Sequence, residues 1–567
     1  MGSPTPRLGL ARPDRSAPDW DIPINENAFT IDQGVALINH THPGLAIIEA
    51  KGDLIVGLEP NEAGILSVGT DGFVLVADAS TPTGLKWSTV SDASGLSVDG
   101  TAVGSVRVVH SGDTATSSST QAIAIGKFAN ASINTGAIAI GGGVSTTAAP
   151  QASGLTAIAI GGSNGSGIAG ARATGTSSVA IGGGDAFTAG ASATAASAVA
   201  IGSSPSASAS RAIAIGEIAI ASSIQGIAIG SRAQAATGNQ TIAIGSGQNT
   251  TASPLANAQG AIAIGAADAS GVNGARASGI GSIGLGSGDG TNPGAAGTGT
   301  GSIAIGYASR ALVTRGIALG QWALSQTSEQ TIAIGSGASA TAAPQANAQG
   351  AVAIGASNAT GVAGARASAA NAVAIGTGDA TTVGASATGT SALAMGIGAS
   401  ATGTGSVGIG GGVASTSTQS VAIGMSSRAT TGNHAIAIGG GANTTAAPFA
   451  SAQGAIAIGA SAAVGVNGPR ASATSSIAIG GGSASVAGAN AAHANAVAIG
   501  VGVSTTTIDQ VNIGTKRLHL GGPSSAPADA DLVNSQISFW INEAGNTLSF
   551  KVKYSNGTVR NGTVAVA

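Results

Sequence analysis

One five-residue word recurs along most of this sequence: a small residue, Ile or Val, Ala, Ile and a closing Gly, with few exceptions. Successive closing glycines lie 15, 20, 21, 20, 14 and 14 residues apart, and this series returns with small variation as far as Gly514. It divides the array into four blocks, whose first closing glycines are Gly126, Gly230, Gly320 and Gly424. A unit this short cannot bury a core alone, so a regular array of such units predicts a solenoid.

The composition favours a packed array over a disordered one. Gly accounts for 93 of 567 residues, yet 43% of the residues are apolar and only 8% are charged. Disordered segments combine low hydrophobicity with high charge. The net charge of −3 gives no bulk attraction for nucleic acid or anionic membranes, and the chain contains no cysteine. No apolar run is long enough for a membrane span, so we expect no membrane insertion.

Each word predicts a short strand. In 122–126 the alternation places Ile123 and Ile125 on one face and the alanines on the other. We expect the isoleucines to face inward and the alanines outward, with the closing glycine turning the chain at a positive φ. Residues between words, such as 231–240, suit turns and a second, thinner strand. Stacked coils would pair in parallel, and their small outer faces would let three identical chains share a core.

The 20- and 21-residue units contain six or seven additional residues, as in 341–349, which we expect to bulge outward as loops. Each 21-residue unit has an arginine eleven positions after its opening glycine, and in three of them an aspartate follows the next glycine. We predict ion pairs between coils or chains; solvated arginines on loop tips are the alternative, and exposed pairs contribute only about 0–1 kcal/mol. The predicted pairs are Arg172 with Asp185, Arg276 with Asp289 and Arg366 with Asp379, whereas the fourth unit has Arg470 and Ser483.

The word at 178–182, Ser-Val-Ala-Ile-Gly, and its 14-residue period resemble the head domain of YadA-type trimeric autotransporter adhesins. The resemblance covers about 121–514 and implies a left-handed parallel β-roll that is trimeric and adheres to surfaces. We do not expect two features of this family, a secretion signal and a membrane anchor, in this sequence. Residues 1–20 lack the apolar run of a signal peptide, and the C-terminal segment does not resemble the family's membrane anchor.

The flanking segments resemble bacteriophage structural proteins. Residues 51–87 resemble a segment common in tail fibres and minor tail proteins, and 5–10 resemble the start of fibres that dock on a virion. Residues 537–566 resemble a small β domain that closes phage structural proteins. These resemblances imply a fibre on the tail or head of a virion that binds a host surface receptor through its loops or tip. A cellular trimeric adhesin and a purely architectural fibre are the alternatives.

The predicted fold class is therefore all-β, an elongated, homotrimeric parallel β-roll or solenoid with small β domains at both ends. At the C-terminus, 548–554 alternate strictly and are followed by a turn and a return strand, which predicts a hairpin. Capping of the last coil and receptor binding are both open for it. The predicted divisions are a virion attachment segment that binds tail or capsid proteins at 1–50, a β collar at 51–90, a linker at 91–120, the roll at 121–514 and a hairpin cap or tip at 515–567.

Candidate binding chemistry is sparse. His40 and His42 would point to one side of a strand, so three chains could hold iron or another transition metal; a polar turn before Pro43 is the alternative. We expect no other cofactor, and without paired acids or a Cys nucleophile we expect no enzyme. The candidate receptor contacts are aromatic: Phe187, Tyr307, Trp322 and Phe449 in the array, and Phe539 and Trp540 near the end, where core packing is the alternative.

Overall fold

The computed structural model describes residues 50–60, 62–89, 103–109, 113–514, 526–534, 536–542 and 547–565. The chain divides into two compact units, Met1–Gly301 and Ser302–Ala567. In both units the repeats form the coils of a parallel β-roll, which confirms the predicted all-β fold class. Across the described ranges, no helix is long and apolar enough to cross a membrane.

The repeated word forms one three-residue strand in each coil. These strands pair in parallel, word against word, so that Ala214 lies between Ala200 and Ala228. We call this the isoleucine sheet. In the first unit its strands are Val106–Val108, Ile123–Ile125, Ile138–Ile140, Ile158–Ile160, Val179–Ile181, Val199–Ile201, Ile213–Ile215, Ile227–Ile229, Ile242–Ile244, Ile262–Ile264 and Ile283–Leu285. In the second unit they are Ile303–Ile305, Ile317–Leu319, Ile332–Ile334, Val352–Ile354, Val373–Ile375, Leu393–Met395, Val407–Ile409, Val421–Ile423, Ile436–Ile438, Ile456–Ile458, Ile477–Ile479, Val497–Ile499 and Val511–Ile513.

A second parallel sheet, which we call the thin sheet, has strands of only two residues, as expected for the segments between words. In the first unit these strands are Gln151–Ala152, Arg172–Ala173, Ser192–Ala193, Ser206–Ala207, Ile220–Ala221, Gln234–Ala235, Leu255–Ala256, Arg276–Ala277 and Ala296–Gly297. In the second unit they are Arg310–Ala311, Leu324–Ser325, Gln345–Ala346, Arg366–Ala367, Ser386–Ala387, Ser400–Ala401, Ala414–Ser415, Arg428–Ala429, Phe449–Ala450, Arg470–Ala471 and Asn490–Ala491.

Alanines, not isoleucines, fill the space between the two sheets. Ala214 is completely buried, whereas Ile213 and Ile215 on either side of it remain partly exposed. A Cβ on Gly284, which occupies an inward alanine position, would lie 2.4 Å from the carbonyl oxygen of Arg276 on the thin sheet. In this coil the gap does not admit even a Cβ, and in most other coils the methyl group of a completely buried alanine occupies it. The predicted alternation is present, but the prediction that isoleucine faces inward is wrong.

The roll begins earlier than predicted. Val106–Val108 pairs in parallel with Ile123–Ile125, so the end of the predicted linker 91–120 already belongs to the first coil. The segment has the same alternation behind the buried Ser105, but it lacks the closing glycine. Arg107 takes the inward position here, and Asn512 takes it in Val511–Ile513, the last strand of the isoleucine sheet in the second unit. A polar residue suits a terminal coil, since such a coil has a neighbour on one side only.

The segments before and after the array in sequence form antiparallel sheets. Leu54–Glu59 pairs with Glu62–Leu66, and Phe73–Ala77 pairs with Leu85–Thr89, within the range predicted as a collar. Near the C-terminus, a 3-10 turn at Asp529–Asp531 precedes the three-stranded sheet Gln536–Asn542, Thr547–Lys553 and Val559–Ala565. This sheet contains the predicted hairpin and adds one strand to it.

Candidate functional surfaces

The outward face of the isoleucine sheet is apolar throughout both units. From Ile123 to Ile513, every outward position of its strands is Ile, Val, Leu or Met. In the single chain Ile264 is 37% exposed and Ile305 is 40% exposed. Monomeric soluble proteins seldom expose a contiguous apolar patch of more than a few hundred Å². This face therefore has the character of an interaction surface.

The outward face of the thin sheet lies on the opposite side of the alanine layer and is polar and mixed. The arginines of the 21-residue units are the first residues of thin strands, so they do not lie on loop tips, which was the alternative to ion pairing. Arg172 donates from Nη2 to Oε1 of Gln151 at 3.0 Å, and Arg276 donates from Nη2 to Oδ1 of Asn273 at 2.7 Å.

The aspartates of the predicted pairs hold their own loops instead. The Oδ1 atom of Asp185 accepts hydrogen bonds from the backbone N–H groups of Phe187 and Thr188 at 2.8 and 2.7 Å. Asp379 accepts in the same way from Thr381 and Thr382, and Asp289 from Thr291 and Asn292. These bonds favour the ionised carboxylate and lower the pKa of Asp185 and of Asp379. Among the described residues of one chain, Arg172 forms no ion pair with Asp185 and Arg366 forms none with Asp379; pairs between chains stay a prediction.

The additional residues of the long units form loops between the closing glycine and the thin strand. We call these the long loops; in the third block they are 336–344, 356–365 and 377–385. They hydrogen-bond to one another: Ser357 N–H donates to the carbonyl of Ala342 at 2.7 Å, and Gly378 N–H donates to that of Ala356 at 2.9 Å. Their inner parts are buried, including Ala342 and Pro344. The prediction of outward bulges is thus right only for the loop tips.

Open clefts lie at equivalent places along the long loops of the first and third blocks. The first has a volume of about 440 Å³ and is lined by glycines with Ser163 and Asn164; the other has about 370 Å³ and is lined by glycines with Ser357 and Asn358. Both are open, and Lys127 is the charged residue that lines the first cleft. Their hydroxyl and amide groups can hydrogen-bond a small polar group.

The predicted aromatic contacts occupy three kinds of position. Phe187 is 90% exposed at the tip of a long loop of the first block. Tyr307 and Trp322 lie on turns of adjacent coils and form an edge-to-face pair with centroids 5.8 Å apart. Phe539 packs against Phe550 on the neighbouring strand at 6.3 Å and is 39% exposed. Trp540 is partly buried in the same sheet. A receptor role for any of them stays a prediction.

Phe449 is part of a cluster that we did not predict. It lies on the thin sheet between Arg428 and Arg470, whose guanidinium carbons are 4.9 and 5.5 Å from its ring centroid. The signal was present in the spacing, since the three residues share the first position of consecutive thin strands. The three residues lie in consecutive coils of 15, 20 and 21 residues. Because these coils differ in length, the sequence alone does not show which of their residues are neighbours, and only the fold gives that register.

The described part of the chain contains no cluster of three or more His, Cys, Asp or Glu side chains that could hold a metal ion. His40 and His42 lie outside the described residues, so the metal site stays a prediction. Within the range predicted as the collar, the Lys86 ammonium, 2.8 Å from Oδ2 of Asp78, holds the pKa of that carboxyl well below its usual range.

Comparison with protein families finds YadA head domain repeats in the central region, at residues 207–233, 221–247, 298–321, 387–412 and 415–442. These segments fall where short coils follow one another, and the long loops lie almost wholly outside them. The central region is therefore similar to the repeats of adhesin-like surface fibres, which have a structural role. No curated protein matches the chain.

Proposed function

We propose that this protein is a bacteriophage virion fibre, in which three copies join through their isoleucine faces and attach the particle to the host cell surface. The observation that carries the proposal is the apolar outward face that the isoleucine sheet presents in each of the two units. Covering this face with two further copies removes it from water and leaves the thin sheet and the long loops outside. Three identical binding surfaces on each fibre would strengthen weak contacts through avidity.

The virion location rests on the flanks. Residues 1–50 would bind the tail or capsid, and the resemblance of 51–87 and 537–566 to phage structural proteins supports this assignment. The long loops and the C-terminal sheet would meet the receptor, and we infer no catalytic role. A cellular trimeric surface adhesin is the second candidate, and the match to YadA head domain repeats favours it. A purely architectural fibre is the third.

Two measurements test the proposal. The purified full chain should adsorb to cells that the phage infects and should block infection by competition; if it does neither, the attachment role is wrong and the architectural role stands. Gold-labelled antibodies against the long loops should decorate phage particles. Decoration of the producing cell's surface in the absence of phage would instead support the cellular adhesin.

A further inference from the structure

The thin sheet of the fourth block presents a concentrated positive charge. Arg428 and Arg470 flank Phe449 in register, one strand on each side, so each guanidinium covers one face of the ring. The sequence contains no Asp or Glu between Asp379 and Asp509. The two arginines are therefore not neutralised by any carboxylate of the coils that carry them or of the adjacent coils.

The donors of this cluster are only partly used. Among the described residues the Arg428 side chain donates no hydrogen bond. The Nε of Arg470 also lacks a partner, but it is buried, as is the Nε of Arg366 in the third block, so it adds no donor that a ligand can reach. One Nη of Arg470 donates to Oδ1 of Asn467 at 3.1 Å. Stacking on an aromatic ring occupies the faces of a guanidinium and leaves its N–H edges free, so both side chains are held in place with donors available.

The spacing of the two charges suits an extended chain of anions. Arg428 and Arg470 are two strands apart, which corresponds to about 10 Å along the sheet. The surface between them consists of three consecutive parallel strands with Phe449 on the middle one, so a linear ligand can lie across the strands from one arginine to the other. Carboxylate, sulfate and phosphate groups accept two parallel hydrogen bonds from one guanidinium.

We propose that Arg428, Phe449 and Arg470 form a binding site for a linear anionic polysaccharide of the cell surface. The inference rests on the proposed function, because it names the ligand class of the adhesive fibre. The thin sheet lies opposite the isoleucine face, so trimer formation leaves the site accessible. The other blocks lack it: at the positions of Phe449 they have Gln151, Leu255 and Gln345.

Nucleic acid fits the site less well. Single-stranded nucleic acid binds to open aromatic faces on which bases stack, but both faces of Phe449 are covered. Nucleic acid binding also requires many cations, whereas this stretch has two arginines.

Binding of the full-length fibre to dextran sulfate tests the site, with uncharged dextran of equal length as the matched polymer. At low salt the wild type should bind dextran sulfate, and Arg428→Gln and Arg470→Gln should each weaken binding about tenfold, the loss expected for a charged hydrogen bond. Phe449→Leu introduces the residue of the second block and should weaken binding through the loss of stacking. Arg366→Gln removes the equivalent arginine of the third block and should bind like the wild type.

The other outcomes overturn the proposal. These are equal binding by Arg428→Gln, an equal loss in Arg366→Gln, binding of dextran, or equally tight binding of a single-stranded oligonucleotide. A wild-type fibre that adsorbs to cells but not to dextran sulfate contradicts the site and leaves the attachment function intact. Unfolding midpoints measured by circular dichroism identify a misfolded variant. If Arg428→Gln is misfolded, Arg428→Lys, which keeps the charge but loses the planar donors, is compared with the wild type in its place and should also bind dextran sulfate more weakly.

Discussion

At the scale of single residues, the distinction between alanine and isoleucine determines both the packing of the roll and its outer surface. The inward alanine is completely buried between the two sheets, whereas the outward isoleucines on either side of it remain partly exposed in the single chain. Sequence alternation correctly predicted two faces, but we assigned the isoleucines to the inside, because two large side chains per coil look like a core. Only the distance between the sheets resolves this point.

Ala228→Leu should disrupt the roll, because its added side-chain atoms have no room between the sheets. We expect a loss of at least about 3 kcal/mol in the free energy of unfolding, the upper end for overpacked cores. The outward neighbour provides the control, since Ile227→Leu conserves volume and should cost less than about 1.5 kcal/mol. Chemical denaturation measures both; an equal effect would contradict the assignment of faces.

The loop aspartates predict a local pH response with a built-in control. Hydrogen bonds from Thr381 and Thr382 lower the pKa of Asp379, so the stabilisation is fully present above the ordinary carboxyl pKa and is lost progressively as the pH falls from there through the lowered pKa of the folded state. In the fourth block Ser483 accepts from Val486 N–H at 3.3 Å and does not titrate in this range. Hydrogen exchange of the Thr382 amide, corrected for intrinsic rates, should quicken in acid, and that of Val486 should not. Parallel behaviour of the two amides would exclude this mechanism.

At the scale of the coil, the chain turns at residues with positive φ, and at one of these turns the backbones of consecutive coils lie very close together. Gly216 has φ +124°, and a Cβ there would lie 2.7 Å from the carbonyl carbon of Gly230 in the next coil. The sequence predicted this role for the closing glycine. It did not predict the second corner, five residues earlier, where Ser197, Arg211 and Gln225 also have positive φ. Those residue types give no glycine signal, so only the backbone reveals the position.

Gly216→Ala should be more harmful than Gly281→Ala. Both positions have positive φ, which costs a non-glycine residue about 1–2 kcal/mol. A Cβ at Gly281 meets open space, whereas at Gly216 it must displace the adjacent coil. Thermal unfolding of the two variants measures the difference, and equal midpoints would show that stacking does not require the closing glycine.

At the scale of the whole molecule, the regular spacing made the solenoid predictable, and the variation in spacing marked the long loops. The parts that escaped prediction depend on contacts between coils: the stacking of the long loops, the aspartates that hold loop turns, and the cluster around Phe449. The early start of the roll at Val106–Val108 escaped because that strand has no closing glycine. The account as a whole depends on what covers the isoleucine face.

Sedimentation equilibrium of the purified full chain tests this claim most directly. The account predicts a particle of three copies that does not dissociate on dilution. It also predicts that Ile227→Asp combined with Ile229→Asp weakens assembly, while each chain keeps its β-strands because the buried alanine layer is unchanged. A single copy in dilute buffer, with the isoleucine face left in water, would contradict it.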